Sequence, residues 1–284
     1  MSETGRSIPR LEARAKVTGR AEYVHNMRVP GMLTAKIFRS TVAHGRILSI
    51  DTEAARALPG VFGVYTGEDV LKVIPNPYYG PAFHDQPILA IGKVRYVGEP
   101  VAAVLAADPH IADAAVQTIS AEYEELEPVF DEVEAMTSKA IVHEELKPAS
   151  TFADLKHLAG RKNTNITLDY RLRRGDVDKA FAGADRVLEH EFRTGQVLHV
   201  PLESHAALAI PGEDSIVIHC SSQTPSFVRT EMARLLSWPE NRVSVRVPFL
   251  GGGYGAKVYV KTEPLAAALA LLARKPVKIA FAME

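Results

Sequence analysis

The sequence of 284 residues contains a single cysteine, Cys220, and a single tryptophan. One cysteine cannot form an internal disulfide, and it cannot hold an iron–sulfur cluster or a cysteine zinc site. A chain without disulfides suits a reducing compartment, so we expect a cytoplasmic protein. The apolar stretch SIVIHCSS around Cys220 predicts that this thiol lies buried in a strand.

An excess of charge of one sign is also missing, because 33 Lys and Arg oppose 34 Asp and Glu for a net charge of −1. No basic stripe stands out, so nothing indicates a nucleic-acid partner. No apolar run reaches the roughly 18 residues that a membrane span needs. The N-terminus is polar and lacks the apolar core of a signal peptide. The composition, with 46% hydrophobic and 24% charged residues, is that of a soluble globular protein.

The length suggests about two domains, and short mixed segments predict an α+β organisation. We divide the chain into an extended N-terminal arm (1–18), a compact unit (19–130), a surface linker (131–165) and a second unit (166–284). In the first unit, alternation predicts strands over 32–40 and 60–67, and a helix over 52–58 between them. An apolar run predicts a strand over 101–107, and Asp108 followed by proline predicts a helix over 108–119.

The second unit begins with two alternating stretches, 165–175 and 186–196, which predict strands on either side of a helix capped by Asp176. Later patterns predict further strands within 205–220, 241–250 and 276–283, and helices over 225–238 and 262–275. The sequence stops directly after the last strand, so we expect that something continues from there.

The glycine-rich stretch VPFLGGGYGAK, residues 247–257, follows a predicted strand. Glycines there indicate a backbone that something approaches closely. A P-loop is excluded, because Val258 stands where Ser or Thr must follow Lys257. Gly251, Gly253 and Ala256 fit the dinucleotide pattern G-x-G-x-x-A, although the next acid, Glu284, lies well beyond the usual spacing of about 20 residues. A turn at which backbones cross closely is the third interpretation.

Two further stretches carry polar side chains. In HVPLESH, His199, Glu203 and His205 would share a face of a strand, as metal ligands do, but Pro201 interrupts the run. Glu203 stands among apolar residues, so if it is buried it needs a partner. In SSQTP, Gln223 lies between a strand and a helix, where its amide can donate and accept hydrogen bonds.

These segments resemble one family in order and spacing. The stretch KVTGRAEYVHNMRVPGMLTAKIFRS and the later VRYVGEPVAAVLAADPHIADAAVQTIS resemble the α/β hammerhead domain in large subunits of molybdenum hydroxylases, the superfamily of xanthine dehydrogenase, aldehyde oxidase and carbon monoxide dehydrogenase. HVPLESHAALA, SSQTPSFVRTEMARLL and VSVRVPFLGGGYGAK resemble the first motifs of the molybdopterin-binding region. The resemblance covers about residues 10–284, and it implies a hammerhead domain followed by the first part of a molybdopterin-binding α+β domain.

The resemblance also implies chemistry, since the family hydroxylates an aldehyde or an N-heteroaromatic carbon with water as the oxygen source. The molybdenum cofactor carries that chemistry, and the protein supplies position and polarity. Electrons leave to iron–sulfur clusters and commonly to flavin, which the resemblance places on other subunits. It assigns no metal ligand to this chain.

The resemblance also implies roles for individual residues. Gln223 matches the glutamine that hydrogen-bonds a metal oxo ligand, and Tyr254 matches an aromatic residue at the substrate cavity. Gly255 matches the glycine whose bare backbone amide approaches the metal's ligands. The preceding glycines match the loop that keeps side chains away from the cofactor: Gly251, Gly252 and Gly253.

The sequence departs from the family in three ways. Ala256 stands where glycine is frequent. Val258 stands where purine-oxidising members carry a substrate-binding glutamate, which favours an apolar aldehyde or heteroaromatic substrate. The family's large subunit continues for several hundred residues that hold the catalytic glutamate, so we expect no catalytic residue in this chain, and neither Glu203 nor Glu284 takes that role.

We expect one piece of a split large subunit, or a fragment, that needs a second large-subunit chain and an iron–sulfur subunit. A nucleotide-binding protein and a non-catalytic assembly subunit are the alternatives.

Overall fold

A seven-stranded mixed sheet forms the centre of the computed structural model, which describes residues 4–146 and 161–283. The strands are β1 (Leu33–Arg39), β2 (Gly45–Asp51), β3 (Val61–Thr66), β4 (Tyr78–Tyr79), β5 (Gln86–Pro87), β6 (Lys93–Val94), β7 (Pro100–Ala106), β8 (Ser120–Glu125), β9 (Ala206–Pro211), β10 (Ile216–Cys220), β11 (Val243–Arg246) and β12 (Val277–Ala280). The α-helices are α1 (Ala13–Val17), α2 (Glu53–Ala57), α3 (Gly67–Leu71), α4 (Pro109–Val116), α5 (Glu132–Ala135), α6 (Val177–Ala182), α7 (Pro225–Leu236) and α8 (Glu263–Ala273).

The central sheet has the strand order β11-β10-β9-β12-β1-β7-β3. Strand β1 pairs in parallel with β12, with Leu33 opposite Val277, and pairs antiparallel with β7 on its other side. The sheet therefore combines strands from the predicted units 19–130 and 166–284. The bounds of those units stay a prediction. A three-stranded sheet, β6-β2-β8, and the two-stranded ladder β4-β5 accompany it.

Strand β7 shows why an apolar run forms the middle of the first unit. Ala103 and Leu105 pack into a core cluster that includes Leu269 of α8. Ala102 and Val104, on the other face, pack into a cluster with Ala112 of α4. A strand that is covered on both faces needs apolar side chains at every position. Helix α4 begins as its sequence predicts, since the Asp108 carboxylate accepts a hydrogen bond from the His110 N–H at 2.8 Å.

The core of the second unit lies between the sheet and helices α7 and α8. Met232 and Leu235 of α7, Leu269 of α8 and Ile218 of β10 are almost wholly buried in it. Each such side chain contributes about 1.5–3 kcal/mol on burial. Cys220 is fully buried at the end of β10, as its surroundings predict.

Three expectations differ from the structure. The arm is not wholly extended, because residues 13–17 form helix α1, none of whose residues is buried. Stretches 165–175 and 186–196 form no strand and are largely exposed, although α6 between them is capped by Asp176 as predicted. Alternation alone cannot make a strand without a neighbour to accept its hydrogen bonds, and these stretches have none among the described residues. Part of the predicted linker (147–160) and Glu284 lie outside the described residues.

Candidate functional site

The residues singled out by sequence meet at one end of the central sheet. Strands β10 and β11 are parallel, and β9 runs antiparallel to both β10 and β12. The segment before β9 and the segments after β10, β11 and β12 therefore lie at the same end. They carry, respectively, Glu203, Gln223, the glycine loop and Phe281. We define the glycine loop as residues 251–258.

The glycine loop is a tight, irregular turn. Gly252 and Gly255 both have φ of +99°, which favours glycine, and Tyr254 holds a left-handed φ of +52°. The Ala256 N–H donates to the Gly253 carbonyl at 2.8 Å and closes the turn. Tyr254 and Gly255 form its exposed tip, and Tyr254 is 73% exposed.

Gln223 holds the second half of this loop. Its Oε1 accepts the Gly255 N–H at 3.0 Å and the Lys257 N–H at 3.4 Å. Its own backbone N–H donates to the Lys257 carbonyl at 2.9 Å. A Cβ added to Gly253 would lie only 2.5 Å from Gln223 Cδ, so glycine is needed there for the glutamine to pack. The structure thus brings together Gln223, Gly253 and Gly255, but the Gly255 amide is not bare, since it donates to Gln223.

Glu203 holds the first half of the loop through a buried ion pair. Its Oε2 lies 2.9 Å from Lys257 Nζ and accepts the Gly251 N–H at 2.7 Å. The Glu203 N–H also donates to the Gly251 carbonyl at 3.2 Å. A Cβ on Gly251 would lie 2.5 Å from Glu203 Cβ. The prediction that a buried Glu203 needs a partner is confirmed. Sequence reasoning did not identify Lys257 as that partner, although the apolar setting of Glu203 required a cation or donors.

Donors at the loop tip stay available. Among the described residues, the backbone N–H groups of Gly252, Gly253 and Tyr254 have no hydrogen-bond acceptor. Among the described residues, a Cβ at Gly255 would meet only the His199 ring, whose Nε2 would lie at 3.5 Å, so the space beside this residue is open. Successive unpaired amides make a concavity that suits an oxygen-rich or anionic group. The loop therefore fits the approach of a cofactor with oxo or phosphate oxygens.

Tyr254 and Val258 are the predicted cavity residues. A cavity of about 640 Å³ opens beside Gly251 and Glu203, but neither Tyr254 nor Val258 lines it. The Val258 carbonyl accepts a hydrogen bond from Thr224 Oγ1 at 2.5 Å, which anchors the end of the loop. Their role at a substrate cavity stays a prediction.

The metal interpretation of HVPLESH does not agree with the geometry. His205 Nε2 lies 3.0 Å from the Ala256 carbonyl, and burial lowers the pKa of His205. The neutral imidazole therefore donates to that carbonyl, while Glu203 is engaged by Lys257. Within residues 4–146 and 161–283, no group of three or more His, Cys, Asp or Glu side chains could hold a metal ion.

The dinucleotide interpretation also fails locally. In that motif the glycines open directly into a helix, whose N-terminus receives the pyrophosphate. Here the next helix, α8, begins only at Glu263, well after Ala256, and irregular backbone separates them.

Comparisons with known proteins agree with this architecture. The model of the aldehyde oxidase and xanthine dehydrogenase a/b hammerhead domain matches residues 18–127, and the model of the molybdopterin cofactor-binding domain matches residues 158–284. A probable xanthine dehydrogenase subunit of Bacillus subtilis is 32% identical over 95% of this chain and 34% of its own length. The nicotinate dehydrogenase large molybdopterin subunit of Eubacterium barkeri is 32% identical over 99% of this chain and 61% of its own length.

A solved structure, quinoline 2-oxidoreductase from Pseudomonas putida, superposes with a TM-score of 0.83 at 33% identity, over 99% of this chain and 35% of that one. The chain thus spans between about a third and three fifths of the length of these relatives. None of the helices in the described part of the chain is long and apolar enough to cross a bilayer. The chain belongs to the aldehyde oxidase and xanthine dehydrogenase family of molybdenum hydroxylases, and it combines the family's hammerhead domain with its molybdopterin cofactor-binding domain.

Proposed function

We propose that this chain forms part of the molybdenum–pterin subunit of a hydroxylase or dehydrogenase that oxidises an aldehyde or an N-heteroaromatic substrate, with water as the oxygen source. One observation carries the proposal. The glycine loop presents unpaired backbone amides beside Gln223 inside the segment that matches the molybdopterin cofactor-binding domain. When bound, the molybdenum cofactor supplies the two-electron oxidation.

The chain's own residues orient that cofactor. The loop that holds it consists of Gly251, Gly252, Gly253 and Gly255, with Gln223 beside them. Gln223 already uses Oε1 to hold Gly255 and Lys257, so its Nε2 group is the part that remains to donate toward a cofactor oxygen. A Cβ at Gly255 would crowd the side of the loop from which an oxo group approaches the amides. Tyr254 and Val258 then shape the side on which the substrate enters.

The substrate class rests on Val258 and on the relatives. An apolar side chain after Lys257 offers no carboxylate to a purine, and two relatives are named for nicotinate and quinoline. An apolar heteroaromatic ring is therefore the favoured substrate. The remaining part of the large subunit supplies the catalytic glutamate.

Partners follow from the same proposal. Relatives are named as subunits, which supports a hetero-oligomer. This chain works with a second large-subunit chain, a [2Fe–2S] subunit that receives the electrons and commonly an FAD subunit, and the complex is cytoplasmic.

The test is the metal content and turnover of the enzyme purified with this chain. We expect molybdenum and pterin at one equivalent each per assembled large subunit. Gln223→Ala should lower turnover at least about tenfold, the cost of roughly one lost hydrogen bond in a transition state, while molybdenum stays bound. Gly255→Val should lower molybdenum content as well.

Gly98→Val is the matched control, because Gly98 has a similar φ of +93° and open space around it, far along the chain from the loop. Full turnover in both site variants would contradict the site assignment. An assembly without molybdenum would favour the alternative of a non-catalytic assembly subunit.

A further inference from the structure

The cavity of about 640 Å³ beside Gly251 has walls that are mainly apolar. Tyr23, Leu202, Leu250 and Phe281 line it. Leu202 is 93% exposed, although the residues on either side of it are buried. An apolar cavity of this size that opens to solvent is typical of a surface that another molecule covers.

Two polar atoms at this cavity are buried without a hydrogen-bond partner among residues 4–146 and 161–283: Glu203 Oε1 and His25 Nδ1. They lie 4.0 Å apart, and both residues line the cavity. Glu203 is more than nine-tenths buried, and its other oxygen, Oε2, is fully engaged by the Gly251 N–H and Lys257 Nζ. Buried polar atoms are nearly always paired in native proteins, so an unpaired carboxylate oxygen indicates a partner group.

The hydrogen-bond network determines what that partner must offer. The Ser204 hydroxyl donates its only hydrogen to the Phe281 carbonyl. Ser204 Oγ must therefore accept from His25 Nε2, which lies 3.0 Å away. Burial lowers the pKa of His25, so the ring is neutral at pH 7, and Nδ1 carries a lone pair. Both unpaired atoms are acceptors, and the ligand must supply at least two N–H or O–H donors.

An exposed apolar run leads into the cavity. The side chains of Val197, Leu198 and Val200 are more than half exposed, and they precede Leu202 directly along the chain. A small molecule would fill the cavity without covering this run, whereas a polypeptide segment can cover both. The relatives extend beyond the length of this chain, so they contain further polypeptide that can do so.

We propose that this cavity is a docking site for a polypeptide segment from the part of a molybdenum hydroxylase large subunit that this chain does not contain. The segment places an apolar side chain against Leu202 and Phe281 and donates N–H groups, from an arginine or a carboxamide side chain, to Glu203 Oε1 and His25 Nδ1. The identity of this partner rests on the proposed function.

The position of Glu203 links the docked segment to the glycine loop. One carboxylate oxygen receives the segment, and the other holds Gly251 and Lys257. The segment therefore completes the set of contacts that fixes Glu203, and through it the first half of the loop. In this arrangement Glu203 is a positioning residue.

The test is photo-crosslinking in the assembled enzyme. A benzophenone amino acid replaces Leu202, and mass spectrometry identifies the crosslinked peptide. We expect one peptide of the large subunit that is absent from this sequence. The control places the same group at Leu48, which is 63% exposed on β2 of the smaller sheet and should not capture that peptide. Crosslinks from Leu202 only to an iron–sulfur or flavin subunit, or no crosslink at all, would overturn the proposal.

A second measurement tests the donors. His25→Ala removes one acceptor without touching the glycine loop, so the docked peptide should open about tenfold more often, which hydrogen exchange reports as faster exchange of its amides. His110→Ala, at an exposed histidine on α4, should leave the exchange unchanged. Unchanged exchange in His25→Ala would exclude the donor contact. Molybdenum content, measured on the same samples, tests the proposed function separately, because docking can persist in an assembly that contains no metal.

Discussion

Lys257 Nζ lies 2.9 Å from Glu203 Oε2, and the two side chains are 0% and 6% exposed. The pair connects the segment before β9 with the glycine loop after β11. A buried ion pair seldom adds net stability over an apolar pair of the same shape, because both ions lose their hydration. The pair instead fixes the position of the loop, because the carboxylate oxygen that contacts Lys257 also accepts a hydrogen bond from the Gly251 N–H. The loop is thus held at Gly251 and at Lys257 by one side chain.

Removing one member of this pair should be costly. In Lys257→Met, the Glu203 carboxylate stays buried without its cation, and we expect the free energy of unfolding to fall by about 3–5 kcal/mol. Glu203→Gln should cost a similar amount, and the double variant should cost clearly less than the sum. Urea unfolding of the four proteins, followed by circular dichroism, measures this cycle.

The matched control is the exposed ion pair between Arg46 and Glu124, at 2.8 Å. Both side chains are more than half exposed, so Arg46→Met and Glu124→Gln should each change the free energy of unfolding by no more than about 1 kcal/mol. Equal losses in the free energy of unfolding at the two pairs would contradict the expectation that burial makes the Lys257–Glu203 pair more costly to break.

Gly253→Ala should release Gln223 from the loop. No positive φ demands glycine at this position, but the new Cβ would collide with the Gln223 side chain. The glutamine must then move, and the Gly255 and Lys257 amides lose their acceptor. We expect these two amides to exchange hydrogen at least about fivefold faster, since each hydrogen bond contributes roughly 1 kcal/mol.

The double variant Gly253→Ala, Gln223→Ala provides the control for the collision. If crowding against Gln223 is the cause, the double variant should be no less stable than Gln223→Ala alone. Additive losses would instead mean that Gly253 is needed for another reason, such as the flexibility of the turn.

Local patterns predicted much of the fold because their causes are local. Asp108 followed by proline starts α4, and the apolar run 101–107 becomes β7 because the strand is covered on both faces. The parallel pairing of β1 with β12 joins segments from opposite ends of the chain, and no local pattern encodes such a pairing. Residues 165–175 alternate as a strand does, but the described residues offer them no neighbouring strand.

The site was predictable only in part for a related reason. Gln223 and the glycines were recognisable as a motif, and the need of Glu203 for a partner followed from its apolar neighbours. The identity of that partner did not follow, because Lys257 is distant in sequence. It reaches Glu203 only because the segment before β9 and the segment after β11 lie at the same end of the sheet. The unpaired acceptors of His25 and Glu203 likewise depend on tertiary contacts.

Glu263→Gln should stabilise the protein at neutral pH. Glu263 is buried at the start of α8, and burial raises the pKa of its carboxyl above the usual value. Above that raised pKa the folded state must hold a buried charge, whereas below the unfolded pKa of 4.5 both states are protonated. The stability that the neutral carboxyl provides is therefore lost as the pH rises through the folded pKa. The melting temperature of the glutamine variant should exceed that of the natural protein at pH 8, and the difference should vanish near pH 4.5.

Glu53 offers the matched comparison, since it is an exposed glutamate at the first position of α2. Glu53→Gln loses the same favourable interaction with a helix N-terminus but relieves no burial. It should be neutral or slightly destabilising at pH 8. A Glu263→Gln variant that behaves like Glu53→Gln at every pH would contradict the role assigned to burial.

Tyr254→Gly should stabilise the chain while impairing the assembled enzyme. A tyrosine at φ of +52° costs about 1 kcal/mol relative to glycine, and its exposed ring recovers little of that by packing. Chemical denaturation of the chain should therefore show a gain of up to about 1 kcal/mol. Arg274→Gly, at the end of α8 with the same φ of +52°, should give a similar gain.

If Tyr254 shapes the substrate cavity, Tyr254→Gly should raise KM in the assembled enzyme and Arg274→Gly should not. Equal KM values in the two variants would show that Tyr254 does not contribute to substrate binding.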